Sequence, residues 1–240
     1  MTTAASLRDR LVQTLDAARE RESVLIALCD DEPSPVADQW TAKDNVAHLS
    51  AWREHAALTL DAMRLDQPLP ELPYPADLDA RNQVIFDAHH DDPADVVRSW
   101  SAQTYTQLIE SLRACSDEDL RRERPAGAGP LWRIVPGNGH DHVAQHLTYW
   151  YAEHDNPAAA DDAALWAHSL EVELFPDPAD RAVADYNLAC FYARTGRSDE
   201  ALPLLRTALK GRPDLVRWAS EDPDLDSLRG DEELQELLAG

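Results

Sequence analysis

The chain has 240 residues, 44% of them apolar, which is enough for one to two domains with an ordinary buried core. With 22 basic against 45 acidic side chains its net charge is −23, and the acidic excess runs along the whole chain, so neither nucleic acid nor an anionic membrane face is an expected partner. Cys29, Cys115 and Cys190 are odd in number and far apart, which argues against a disulfide framework. No apolar run approaches the roughly 18 residues of a membrane span, and the polar start reads as no export signal, so the expected compartment is the cytoplasm.

In chain order, Ser6 and Asp9 give a capping-box-like start, and Leu7, Leu11, Leu15, Ala18, Leu25 and Leu28 predict one amphipathic helix that ends before Pro33 and Pro35. Thr41 and Asp44 repeat the signature and predict a second helix to about Leu65, with Val46, Leu49, Trp52, Ala56, Leu60 and Met63 facing inward. Proline breaks the stretch from Gln67 to Pro75. A third helix is predicted from Asp77, carrying Leu78, Ile85 and Phe86. It restarts at Pro93, as the first helical residue, and runs through Val96, Val97, Trp100, Leu108, Ile109 and Leu112. Ser116 to Leu120 adds a turn. Pro125 to Gly139, rich in glycine and proline, is expected to be an irregular pocket rim, and His140 to Glu153 returns to helix with Val143, Leu147 and Trp150 inward. Long amphipathic helices without period-2 alternation predict an all-α fold, an antiparallel four-helix bundle over residues 1–156. A composition shift at Asn156 to Asp162 suggests a boundary, followed by a helical region over 160–240.

His142 and His146 lie four apart on one helix, which stacks their imidazoles on one face at a spacing that suits metal chelation. A third ligand has to come from another helix, and His48, on the inner stripe of the second helix, is the candidate. Three neutral imidazoles suit zinc, nickel, copper or iron, with the remaining position open to water or substrate. Asn45, Asn138, Asp141 and Glu153 are the polar residues at helical spacing from these ligands and the weak candidates for a general base; capping explains Asn138 and Asp141, and a solvated helix end explains Glu153. His55 is two turns from His48, about 10 Å, too far for a co-ligand. His89 and His90 are explained by a helix end beside Asp91 and Asp92, and His140, His154 and His168 read as surface residues. Trp52, Trp132 and Tyr149 are candidates for a substrate pocket, Trp132 as a lid, although Trp52, Trp100 and Trp150 also fit a plain core. Cys29 and Cys115 read as buried.

The run Trp40 to Leu49, followed by Trp52, resembles the second helix of the DinB superfamily of four-helix-bundle metalloproteins, in particular its DfsB/ClbS-like branch. Arg81 to Phe86 and Pro130 to Leu147, with Asn138, His142 and His146, resemble the loop and last helix of that branch. The resemblance covers about residues 5–155. It implies a DinB/YfiT-like bundle in which His48, His142 and His146 bind a divalent metal (Zn, Ni or Fe). It further implies an enzyme acting on a small reactive molecule by thiol transfer, with a low-molecular-weight thiol as cosubstrate, or by hydrolysis, in detoxification or self-resistance. Cyclopropane-hydrolysing members lack the full histidine pair on the last helix, so that activity is not carried over. An anionic thiol would need basic groups at the rim, for which Arg53, Arg81 and Arg133 are available.

Leu188, Ala189, Tyr192, Ala201, Leu205, Ala208 and Pro213, with Gly196 between two predicted helices, resemble one tetratricopeptide repeat, departing from it at Asp185 and Pro203. One repeat cannot bury both its faces, so it is expected to be sandwiched by helices at about Asp161–Leu174 and Asp224–Leu238, or to dock on the bundle as a cap. The rival reading is a non-catalytic binding or scaffold protein whose repeat-like tail binds a protein partner, with the histidines a relic or a structural metal site; a homodimer is also compatible.

Overall fold

The computed structural model describes residues 5–30, 39–71, 77–125, 128–175 and 177–239. The fold is all-α: among the described residues there is no β-strand, only an isolated bridge between Glu123 and Pro130. The chain divides into two compact units, 1–150 and 151–240.

In the first unit, α1 (Leu7–Ala27) starts where expected, with the Ser6 hydroxyl accepting the Asp9 N–H, and its stripe of Leu7, Leu11, Leu15, Ala18 and Leu25 is buried. The stop assigned to Pro33 and Pro35 lies outside the described residues, as does part of the proline loop before Asp77. In α2 (Ala42–Arg64) the capping box is complete. Thr41 Oγ1 accepts the Asp44 N–H at 3.1 Å and an Asp44 carboxylate oxygen accepts the Thr41 N–H at 2.8 Å. This helix packs on α4 (Ala94–Ala114), α1 and α3 (Leu78–His89), which makes it the central element. Pro93 is the N-cap of α4 rather than its first residue, because its ψ of 145° is extended. In α3 only Ile85 is buried; Leu78 is exposed, at the helix start where no neighbour covers it. Lys43 Nζ donates to the carbonyls of His90 (2.5 Å) and Asp92 (2.8 Å), tying the end of α3 to the start of α2. A capped turn, α5 (Asp117–Arg121), follows α4.

The connection expected as an irregular rim is largely helical. Leu131–Arg133 forms a 3-10 turn and Ile134–Asn138 a short helix, α6. Leu131, Ile134 and Val135 fall on one face and are buried, and Pro136 lies in the first turn, where a missing N–H breaks no helical bond. Trp132 is buried with them. Gly139 then turns the chain into α7 (His140–Glu153). A Cβ there would meet the Val135 carbonyl oxygen at 2.8 Å and Leu15 Cδ2 at 2.9 Å, so only glycine permits this approach.

In the second unit, α8 (Pro157–Leu174) begins inside the stretch that composition marks as a boundary. Asn156 accepts the Ala159 N–H as N-cap, Pro157 occupies the first turn, and three alanines extend the helix. The pair α9 (Pro178–Arg194) and α10 (Ser198–Gly211) pack closely around a turn at Gly196, whose φ of +75° suits glycine. Of the repeat-like positions Leu188, Ala189, Ala201, Leu205 and Ala208 are buried, Tyr192 is half-buried and Pro213 is exposed. A further helix, α11 (Leu215–Glu221), follows α10, and the expected final helix Asp224–Leu238 is instead two pieces, a 3-10 turn (Pro223–Leu228) and α12 (Glu232–Ala239). Pro223 and Gly230 interrupt the run. Leu215, Leu225, Leu228 and Leu234 from these pieces complete one core with α9 and α10. The unpartnered face of the hairpin is thus covered within its own unit. Asp185, the departure from the repeat pattern, is buried and faces His168 Nε2 at 2.7 Å, so His168 is an internal partner and not simply a surface residue.

Candidate metal centre

α2 and α7 bring together the three histidines that spacing and resemblance single out. The Nε2 atom of His142 stands 3.2 Å from that of His48 and 3.2 Å from that of His146. A neutral imidazole carries one proton, and His142 has one Nε2–H at most, so it cannot donate to both neighbours. Protonating the cluster is opposed strongly. Burial, with the neighbouring His146, lowers the His48 pKa to about 2; burial lowers His146 to about 4; and burial together with His146, His48 and Arg53 holds His142 well below the usual imidazole value. Three neutral nitrogens with converging lone pairs therefore lack a proton inventory that satisfies them. Bonds of about 2.0–2.1 Å in a tetrahedral zinc site place ligand nitrogens about 3.3 Å apart, close to the spacing found here. These residues could hold a metal ion.

The orientation of His146 is fixed from behind. Its Nδ1 lies 2.6 Å from Asn45 Oδ1, which can only accept, so Nδ1 carries the proton and Nε2 offers its lone pair inward. Asn45 is held in turn by its Nδ2 donating to the Thr41 carbonyl at 2.8 Å, so the capping turn of α2 also fixes the residue that orients His146. Nδ1 of His48 and of His142 is buried with no hydrogen-bond partner among the described residues, and these two rings are oriented by packing. Trp40 lies tilted 4.9 Å from His48 and stacks on His146 at 6.0 Å, and Trp52 meets His48 and His142 edge-on at 6.3 and 6.5 Å. Phe86 backs Trp40, and His90 stacks on Phe86. His48 is buried, and His142 and His146 are intermediate in exposure.

The remaining candidates fall elsewhere. Asn138 ends α6 and donates to the Ile134 carbonyl, so it does not cap α7. Asp141 lies in the first turn of α7, 3.5 Å from His140. Glu153 is exposed at the end of α7. Among the aromatic candidates Trp52 touches the histidines, Trp132 is buried and Tyr149 is exposed. His140 is fully buried, contrary to a surface reading, because Gly139 turns it inward at the start of α7. His90 pairs with Asp44 of α2 at 2.9 Å rather than with its neighbours, while His89 does pair with Asp92 at 2.8 Å. Of the three arginines considered as rim groups, Arg53 is withdrawn. It is fully buried and bidentate to Glu22, with 2.6 and 3.0 Å contacts. Ser50, Ser101 and Thr104 supply further oxygens to Arg53, and Ser101 and Tyr105 donate to Glu22. Arg81 lies over Trp52 and Arg133 over Trp132.

Sequence reasoning missed the roles of Trp40 and Glu22. Trp40 precedes the helix, where periodicity says nothing about its direction. Glu22 falls on the buried stripe between Ala18 and Leu25, and that position was the available signal. In the second unit, Cys190, Asp222 and Asp224 also converge, but Asp222 is occupied by the Tyr186 hydroxyl (2.6 Å) and the Asp224 N–H (2.9 Å) as the cap of the 3-10 turn, and burial raises the Cys190 pKa. All three cysteines are free and buried. No helix of the described residues is long and apolar enough to cross a membrane.

No family model matches the chain, and no solved structure matches it. A curated chloroplast protein of Arabidopsis thaliana is 35% identical over 63 residues, which is 26% of this chain and 19% of that protein. A match of that extent carries no family assignment.

Proposed function

We propose that His48, His142 and His146 hold a divalent transition metal and that the chain is a metal-dependent enzyme acting on a small reactive molecule, by thiol transfer or hydrolysis, in detoxification or self-resistance. The observation that carries this reading is the placement of His142 Nε2 at 3.2 Å from two further imidazole nitrogens that one proton cannot satisfy. The sequence resemblance to the DinB superfamily supports the same ligand set. A metal at this position would supply a Lewis acid that lowers the pKa of water or of a thiol toward about 7.

The chain's own residues would do the rest. Asn45 keeps the His146 proton on Nδ1 and its lone pair on the ligand side. Trp40 and Trp52 wall the rings and limit solvent at the site. Asp141, in the first turn of α7 and beside His142 in the chain, remains the carboxylate candidate for a general base, and Asn45 acts through His146 as a positioning residue. The test is metal analysis of the purified protein beside His142→Ala. One equivalent of zinc, nickel or iron in the wild type, lost in the variant, is expected. Absence of stoichiometric metal after growth in supplemented medium and direct titration would remove the basis of the enzyme reading.

A further inference from the structure

A second cleft, of about 290 Å³, lies along the later turns of α2 and is lined by His55, Thr59, Leu69, Pro70, Arg124, Pro125, Ala128 and Ile134. In a chain of net charge −23 its lining contains no acidic side chain. Its one full charge is Arg124, which is half-buried; the neighbouring Glu123 carboxylate acts on it electrostatically, but no ion pair between Arg124 and a carboxylate forms among the described residues. Its Nε donates to the Gly129 carbonyl at 3.3 Å and its Nη2 to the Ala128 carbonyl, which fixes the guanidinium, while Nη1 makes no hydrogen bond with the described residues. Thr59 is buried, and its hydroxyl has no hydrogen-bond partner among the described residues; a threonine in mid-helix ordinarily bonds the carbonyl one turn back. No hydrogen bond from the described residues engages the half-buried His55 ring. The remaining walls are apolar: Leu69, Pro70, Pro125 and Ile134.

An arginine fixed by backbone carbonyls and not ion-paired among the described residues, a spare hydroxyl and an imidazole on one side, with leucine, isoleucine and prolines on the other, match a small molecule with an apolar body and one carboxylate. We infer that this cleft is a binding site for a small organic monocarboxylate, with Arg124 holding the carboxylate and Thr59 and His55 completing its hydrogen bonds. The site is separate from the histidine triad and does not rest on the metal reading. Trp52 connects the two, meeting His55 at 6.2 Å on one side and His48 at 6.3 Å on the other, so an occupant beside His55 is one indole ring from the histidines.

The test is isothermal titration of benzoate, and of the uncharged benzamide, into the full chain stripped of metal. Saturable benzoate binding is expected, with benzamide at least about tenfold weaker, because the carboxylate's charge-assisted bonds are lost. Arg124→Gln should bring benzoate down to the benzamide level, Thr59→Val should weaken it severalfold, and His142→Ala should leave it unchanged. The inference is overturned if benzoate fails to saturate, if benzamide binds the wild type equally well, or if His142→Ala abolishes binding while Arg124→Gln does not. The benzoate and benzamide comparison needs no variant, so a folding defect cannot mask the result. Metal content, measured separately, decides the triad reading without reference to this outcome.

Discussion

Glu22 and Arg53 offer the sharpest perturbation of the first unit. Both side chains are fully withdrawn from solvent, and the carboxylate receives two guanidinium bonds and two hydroxyl bonds. Glu22→Gln keeps the shape and the hydroxyl donors but leaves the Arg53 cation buried with only neutral oxygens around it. Removing one partner of a buried ion pair costs about 3–5 kcal/mol. Against a total stability of about 5–15 kcal/mol this is a large fraction, and a unit of this size should lose roughly 6–20 °C in Tm. Urea unfolding followed by circular dichroism, with calorimetry to separate the two units, gives the number. Arg53→Met should cost a similar amount. The double variant Glu22→Leu/Arg53→Met should cost less than either single change, since no uncompensated charge remains. If each single change costs under about 1 kcal/mol, or the double variant equals their sum, the four-bond geometry does not carry the energy assigned to it.

Further outcomes follow from the same contacts. The folded-state values of about 4 for His146 and about 2 for His48 lie below the ordinary imidazole value of 6.5, so the unfolded chain binds more protons in that window. Stability of the metal-free protein is therefore full above about pH 6.5 and falls as pH drops, by about 1.4 kcal/mol per pH unit for each histidine, down to about pH 4 for His146; a Tm unchanged between pH 7 and 5 would contradict this. Asn45→Ala should leave the helix content intact and weaken metal binding by about 10–100-fold, read by competition with a chelating dye, because the His146 tautomer is no longer fixed. Gly139→Ala pushes a methyl into the Val135 carbonyl and Leu15, and a cost of about 1–3 kcal/mol in unfolding free energy is expected, with metal affinity falling as α7 shifts.

The helices of the first unit were legible because capping and periodicity agree in them: Ser6 with Asp9 and Thr41 with Asp44 mark starts that the hydrogen bonds reproduce. Hydrophobic spacing also placed His48 inward, opposite the pair on α7. Proline and glycine misled at Pro125 to Gly139, where a first-turn Pro136 is compatible with helix and the buried face of Leu131, Ile134 and Val135 decides the conformation. At Asn156 to Asp162 the polar and proline signals of a linker are also those of a helix N-terminus. Pairings across the fold were the least legible. That Arg53 meets Glu22, that His90 reaches Asp44, and that Trp40 faces the triad depend on how helices are juxtaposed, and no local pattern encodes that.

The position of Trp40 against the triad gives the site a built-in optical reporter. An indole 4.9 Å from one imidazole and 6.0 Å from another is within range for its emission to respond to an ion among those rings, and a paramagnetic ion such as Ni or Cu should quench it. With seven tryptophans in the chain, the part of the signal that disappears in Trp40→Phe isolates this ring. Occupancy of the histidine cluster can then be followed in real time, in an unlabelled protein, before any substrate is known.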